Sequence, residues 1–153
     1  MFRVICLFIA IPSAAAAQEE AAVYRNDRLG YSIRYPVSLL KPVRSGRDGQ
    51  AFASMSGNAG FRVFAAPLAG RSPQQLAGDA QRICAGARPD YRVIKPALIA
   101  VSCKTGDHII YQKSLLRGGL EITVRGAYST RERARWDPVV TSIARSMSVA
   151  SPS

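Results

Sequence analysis

The chain has 153 residues, of which 48% are hydrophobic, and it carries a formal net charge of +11 at pH 7. A disordered chain would be poorer in Ile, Val, Phe and Tyr, so the composition excludes disorder over most of the length and suits one folded domain. The basic residues are scattered, and no run of five or more occurs. Nucleic-acid binders usually carry a clustered basic stripe, so we expect no nucleic-acid partner.

The beginning of the chain has the layout of a secretory signal peptide. Arg3 precedes an apolar run over residues 4–11, and small side chains follow at residues 15–17. The run is far shorter than the roughly 20 residues of a membrane-spanning helix. We therefore expect residues 1–17 to be removed, the protein to be periplasmic or secreted, and the mature chain to have no transmembrane segment.

The rest of the chain is predicted to form one domain with loose ends. We expect a flexible mature N-terminus at residues 18–23, a single globular domain at residues 24–148 and a disordered tail at residues 149–153. The tail is rich in Ser and Pro, and chain termini are poorly ordered unless something holds them.

The first part of the domain predicts strands separated by polar loops. Residues 31–35 alternate apolar and polar side chains, which indicates a half-buried strand. The preceding residues 24–30 are expected to form an approach segment with a turn. Leu39 and Leu40 predict a loop or a short helical turn beneath the sheet, and residues 44–50 predict a polar loop.

A hairpin is predicted next. Residues 51–55 and 61–65 have the composition of strands, and the intervening residues 56–60 tolerate the backbone conformations of a tight turn. A helix then begins after Ser72, which can cap it, while Gln75 completes a capping box. This helix is expected to run to about residue 84.

The second half repeats this order of strands followed by a helix. Residues 92–103 are β-prone and predict one bent strand or two short ones, with a further strand at 108–116. Gly118 and Gly119 indicate a hairpin turn that leads into a strand at 120–125.

A last helix is expected with Asp137 as its cap and Pro138 as its first residue. Ser129 and Glu132 could form a capping box for an earlier turn. Trp136 is expected to close the lower end of the apolar face.

The cysteines predict one disulfide. The chain has three, and Cys6 lies in the expected signal peptide. Cys84 and Cys103 then remain as a pair in an oxidising compartment, where a bridge between them is worth roughly 3 kcal/mol on the loop-entropy model. The alternative is two buried free thiols.

These elements predict an α+β fold. Short connections favour a mainly antiparallel sheet, and helices packed on it give an α/β/α sandwich. The first helix would then be tied through Cys84 to a strand that ends at Cys103.

Several short motifs resemble one known group of folds. Residues 30–36 look like the opening strand of the Mog1/PsbP-like superfamily, and residues 48–52 resemble the Gly-rich turn and Phe-bearing strand that often follow it. Residues 110–113 and 136–140 resemble its later strand and closing helix. The resemblance covers about residues 24–147 and implies an antiparallel sheet flanked by helices. It implies no active site, since the superfamily includes photosystem assembly factors, a nuclear-transport binder and exported bacterial proteins of unknown role.

The sequence offers little for catalysis. His108 is the only histidine, whereas a metal site usually needs several grouped ligands, so we expect no metal and no cofactor. No nucleophile elbow occurs, and the neighbouring Asp107 cannot be assumed to orient His108, because neighbours on a strand point to opposite faces. His108 with Glu121 is the best remaining pair for a hydrolase.

The densest basic group consists of Arg131, Arg133 and Arg135. These residues are candidate contacts for an anion, and the alternative is a hydrated end of a helix. We expect an exported, non-enzymatic binding or assembly module of the bacterial envelope, with an unknown protein or an anionic envelope component as its partner. The alternatives are an Arg-rich binder of anionic envelope components and a hydrolase with an unrecognised site.

Overall fold

The computed structural model describes residues 20–150 of the chain, so the expected signal peptide and residues 151–153 lie outside the described residues. Within that range the chain forms ten strands and two α-helices. Their bounds are β1 (Ala21–Asn26), β2 (Tyr31–Pro36), β3 (Leu40–Ser45), β4 (Gly49–Ser54), β5 (Ala59–Pro67), α1 (Pro73–Gln81), β6 (Tyr91–Lys95), β7 (Leu98–Thr105), β8 (His108–Arg117), β9 (Leu120–Ser129), α2 (Arg133–Arg145) and β10 (Ser148–Val149).

The strands form two sheets, and every pairing in them is antiparallel. The larger sheet has seven strands in the order β3-β4-β5-β9-β8-β7-β6, and the smaller has three in the order β1-β2-β10. The predicted α+β class with a mainly antiparallel sheet is therefore confirmed. No helix within residues 20–150 is long and apolar enough to cross a bilayer.

Both ends of the described chain are more ordered than the sequence predicts. Residues 21–23 were expected to be flexible but belong to β1, which pairs with β2 along its whole length. Tyr24 explains this order, because its ring packs 6.2 Å from Tyr31 and 6.3 Å from Phe52. At the other end Val149, expected in the tail, pairs with Tyr31.

The loops expected around residues 39 and 44–50 are only partly confirmed. Leu39 lies in a turn and residues 46–48 lie outside any strand, but Leu40 already begins β3, which runs to Ser45, and β4 begins at Gly49. β3 is an edge strand in which only Leu40 is buried, so it lacks the alternation by which strands are recognised. A Cβ at Gly49 would lie 1.9 Å from the carbonyl oxygen of Val63, so β4 and β5 can approach this closely only at a glycine.

The first helix begins as predicted. The Ser72 hydroxyl accepts a hydrogen bond from the Gln75 amide, and the Gln75 side chain accepts one from the Ser72 amide, which completes the capping box. α1 ends at Gln81 and continues as a short 3-10 turn to Cys84. The structure joins Cys84 to Cys103 in a disulfide with a Cα–Cα distance of 5.6 Å.

The hairpins of the second half follow the sequence closely. The stretch predicted as one bent strand or two is two strands, β6 and β7, paired antiparallel. Gly118 and Gly119 have φ angles of 60° and 75° and form the turn between β8 and β9, as predicted. Along β9, Ile122 and Val124 are buried, whereas Leu120 is only half-buried.

The second helix begins earlier than predicted. α2 starts at Arg133, so Asp137 does not cap it and Pro138 lies inside it, where the ring removes one backbone hydrogen bond. Trp136 accounts for the early start, because its side chain is fully buried 5.6 Å from the Phe61 ring and needs a helical turn to hold it there. The Ser129 hydroxyl accepts a hydrogen bond from the Arg131 amide and so starts the preceding turn.

Two apolar clusters lie on opposite faces of the larger sheet. α1 packs mainly on β7, and α2 packs mainly on β2 and β9. The cluster beneath α2, which we call the α2 cluster, includes Tyr31, Phe61, Ile109, Tyr128 and Trp136, and the cluster beneath α1 includes Leu76, Cys84, Val101 and Cys103. Because side chains alternate along a strand, Ile109 of β8 belongs to the α2 cluster while Ile110 packs against the other. Because α2 lies over β9, the same face of β6, β7 and β8 is left largely open beside it.

Candidate binding groove

The three arginines proposed from the sequence do not form one site. The Arg133 Nε donates to the Asp137 carboxylate at 2.9 Å, and Arg135 lies 3.9 Å from the Glu132 carboxylate with its guanidinium over the Trp136 ring. Arg131 is in the turn before α2. Two of the three cations therefore already have acidic partners.

His108 and Glu121 are also far apart. His108 pairs with Ser129 at one end of the β8–β9 hairpin, and Glu121 pairs with Leu116 at the other. Eight residues along a strand correspond to roughly 26 Å, so these two side chains do not share a cleft.

The environments of this histidine and this glutamate also differ. His108 is exposed, and its Nδ1 lies 2.7 Å from the Asp107 carboxylate, a contact that strand alternation does not predict. Asp107 lies in the turn before β8, so the alternation rule does not apply to it. Glu121 accepts a hydrogen bond from the Ser114 hydroxyl, which also contacts Thr123, on the face of the sheet that carries α1.

A large groove lies instead between α2 and the open face of β6, β7 and β8. Its volume is about 1090 Å³, and we call it the α2 groove. The residues that line it are Asp90, Tyr91, Val93, Lys95, Leu98, Ala100, Ser102, Lys104, Ile109, Tyr111, Lys113, Tyr128, Thr130, Arg133, Asp137, Val140, Thr141, Ala144 and Arg145.

The floor of the α2 groove is set by strand register. Ser102 on β7 pairs with Tyr91 on β6 and with Tyr111 on β8, so a small polar residue lies between two tyrosines. In the next row on the same face Ala100 lies between Val93 and Lys113. The small central side chains leave room for a ligand, and the flanking ones supply apolar surface and charge.

One end of the α2 groove holds a hydrogen-bonded network. The Tyr128 hydroxyl donates to the Asp137 carboxylate at 2.6 Å, and that carboxylate also accepts from Arg133. Burial, followed by the hydrogen bond to Asp137, raises the pKa of Tyr128. The network joins α2 to β9 and fixes the position of the helix over the sheet.

The α2 groove carries more positive than negative charge. Its acidic groups are Asp137, which is paired with Arg133, and Asp90, whose carboxylate accepts from the Lys104 amide at 2.9 Å. Within the described part of the chain, the remaining four cations of the groove form no ion pair with a carboxylate. These are Lys95, Lys104, Lys113 and Arg145.

Lys113 and Arg145 interact electrostatically at the end of α2. The Lys113 Nζ donates to the carbonyl oxygen of Ala144 at 3.2 Å, which holds the ammonium against the last turn of α2. Burial, and then the positive charge of Arg145, lower the pKa of Lys113. Burial and the proximity of Tyr91 raise the pKa of Tyr111, while Arg145 lowers it.

This groove could not be predicted from the sequence. The alternation within residues 91–95, 98–104 and 109–113 places its floor residues on one face, but it does not tell which face a helix leaves open. Among residues 20–150, no group of three or more His, Cys, Asp and Glu side chains could hold a metal ion.

The fold is PsbP-like. It resembles the solution structure of cyanobacterial PsbP (CyanoP) from Synechocystis sp. PCC 6803, with a TM-score of 0.64, 10% identity and coverage of 88% of this chain and 95% of that one. A crystal structure of a protein from Bacteroides thetaiotaomicron VPI-5482 aligns with a TM-score of 0.51 and 11% identity over 80% of this chain and 46% of that one. At these identities the likeness concerns the fold alone. No protein-family model matches the sequence, and no similar sequence is found among curated proteins.

Proposed function

We propose that the protein is an exported, non-enzymatic binding or assembly module of the bacterial envelope, and that the α2 groove is its binding surface. The observation that carries this proposal is the groove itself, which combines three tyrosines with four cations that form no ion pair with a carboxylate within residues 20–150. Ligand sites are concave and mostly apolar, with a few polar groups that give orientation.

Export is supported by two independent features. Residues 1–17 have the pattern of a signal peptide, and the Cys84–Cys103 disulfide suits an oxidising compartment such as the periplasm or the medium.

We further propose that the fold is best described as an α/β/α sandwich, since α1 and α2 pack on opposite faces of the larger sheet.

An anionic component of the envelope is the second candidate partner, beside an unknown protein. An anionic ligand would be bound by the cations of the α2 groove and not by arginines scattered over the surface. A hydrolase centred on His108 and Glu121 is not proposed, because strand register separates these residues.

Site-directed photocrosslinking in the native envelope tests the proposal. A photoreactive phenylalanine analogue at Tyr91, which is 52% exposed in the α2 groove, is expected to give a discrete crosslinked product. The same analogue at Val43, which is 54% exposed on the distant edge strand β3, is the matched control.

A second variant separates specific binding from chance contact. Ser102→Phe fills the floor of the α2 groove with a side chain that strands accommodate, and it is expected to abolish the Tyr91 product. Fluorescence of the single Trp136 verifies that the variant is folded. Equal products from Tyr91 and Val43, or a product that persists in Ser102→Phe, would contradict the proposal.

A further inference from the structure

We infer that Lys113 and Arg145 form a binding site for a phosphate ester at the end of the α2 groove. This inference rests on the proposed function, because it names the chemistry of a ligand for the same groove. It goes beyond a general basic surface, since it assigns the charge recognition to two side chains.

The two cations are held together by the fold. Lys113 projects from β8 into the groove, and its ammonium donates to the Ala144 carbonyl at 3.2 Å. Arg145 is the next residue of α2; it also lines the groove, and its positive charge interacts with that of Lys113. Both side chains therefore present positive charge to the same space.

Among the residues that the structure describes, no acidic side chain neutralises this pair. Asp137 is engaged by Arg133 and Tyr128, and Asp90 accepts from the Lys104 amide. Neither Lys113 nor Arg145 forms an ion pair with any carboxylate in the described chain. Two like charges held close together without a counter-charge repel each other, and a bound anion would relieve that repulsion.

A purely structural role for the pair accounts for only part of this arrangement. Cations at the end of a helix interact favourably with its dipole, and Lys113 satisfies one terminal carbonyl of α2. However, a helix C-terminus offers only about half a negative charge, which does not balance two cations. The Lys113 ammonium keeps further N–H donors, and the guanidinium of the exposed Arg145 forms no hydrogen bond or ion pair within residues 20–150.

The chemistry of these donors favours phosphate over carboxylate. A phosphate monoester carries roughly −1.5 to −2 charge at neutral pH and so matches two cations, whereas a carboxylate supplies only one charge. The Arg145 fork can bind two phosphate oxygens at once, and an ammonium binds as a point charge. Beside them, Ala100 leaves space on the floor, and Tyr111 offers a surface for the rest of the ester.

Binding of defined phosphate probes tests the inference. The probes are inorganic phosphate, followed by NMR of the purified protein, and phosphatidylcholine vesicles with or without phosphatidic acid, followed by co-sedimentation. Binding of inorganic phosphate indicates a free phosphate as the source, and binding only to vesicles with phosphatidic acid indicates a lipid headgroup. Both results support the site, and absence of binding to both probes overturns it.

The variants are matched in charge. Lys113→Gln with Arg145→Gln removes two positive charges from the groove, and Lys41→Gln with Arg44→Gln removes two from the exposed edge strand β3. We expect the groove variant to bind phosphate at least tenfold more weakly, because it loses charge-assisted hydrogen bonds. The control is expected to retain most of its affinity. Equal weakening in both double variants would show a general charge effect and overturn the inference.

A milder variant guards against loss of folding. Arg145 is exposed, so Arg145→Gln alone leaves the packing intact and is expected to weaken phosphate binding about tenfold. An unchanged affinity in this variant overturns the inference.

If phosphate binding fails while the groove-specific crosslink from Tyr91 persists, the inference fails and the proposed function stands. If phosphate binds at Lys113 and Arg145 but the crosslink fails, the site stands and the assembly role fails.

Discussion

Removal of the Cys84–Cys103 disulfide offers the most direct test of how this fold is stabilised. The two cysteines are 19 positions apart in the sequence, and a loop of that length contributes about 3 kcal/mol on the loop-entropy model. Refolding under reducing conditions keeps both sulfur atoms and therefore measures the effect of the crosslink alone. For a domain of this size, a loss of 3 kcal/mol lowers Tm by roughly 10 °C.

The assay is urea unfolding followed by fluorescence. Trp136 is the only tryptophan and is fully buried, so its emission reports the loss of the α2 cluster. Both cysteine side chains are also fully buried, so a Cys84→Ala and Cys103→Ala double variant is expected to lose a further 1 kcal/mol or so from the cavity left behind. A loss below about 1 kcal/mol on reduction would refute the loop-entropy argument for this chain.

Three further predictions concern the α2 cluster. Tyr128→Phe removes the 2.6 Å hydrogen bond to Asp137 and is expected to lower the free energy of unfolding by about 1–3 kcal/mol in urea titrations, and no change would contradict a stabilising network. Gly126→Ala would place a Cβ 2.5 Å from the Phe61 ring, so we expect a loss of about 1–3 kcal/mol by thermal unfolding, and wild-type stability would mean that the ring moves freely. Burial raises the pKa of Tyr31 and Tyr128 above the ordinary value of 10.0, so the folded state retains protons that the unfolded state loses. Stability is therefore fully present below about pH 10 and falls as the pH rises further, and Tyr31→Phe is expected to flatten this fall in urea midpoints measured against pH.

The sequence predicted those elements whose signals are local. The alternation at residues 31–35, the Ser72–Gln75 capping box and the Gly118–Gly119 turn each depend on neighbouring residues alone, and each appears in the structure. β3 was missed because its side chains are exposed, so no alternation marks it. Its pairing depends on β4, which is tertiary information.

The start of α2 was missed for a similar reason. Asp137 and Pro138 look like a cap and a first residue, but the burial of Trp136 against Phe61 extends the helix toward its N-terminus. The α2 groove could not be predicted at all, since Lys113 and Arg145 are 32 positions apart and meet only because α2 ends over β8.

The position of the disulfide has a consequence for the binding proposed at the α2 groove. Cys103 follows Ser102 on β7, and alternation directs its sulfur to the reverse side of the strand that carries the groove floor. The covalent link thus lies directly behind the proposed binding surface and limits how far that strand can bend. If the groove binds a ligand as proposed, this rigid strand loses little backbone entropy on binding, and selectivity then depends on the shape and charge of the side chains.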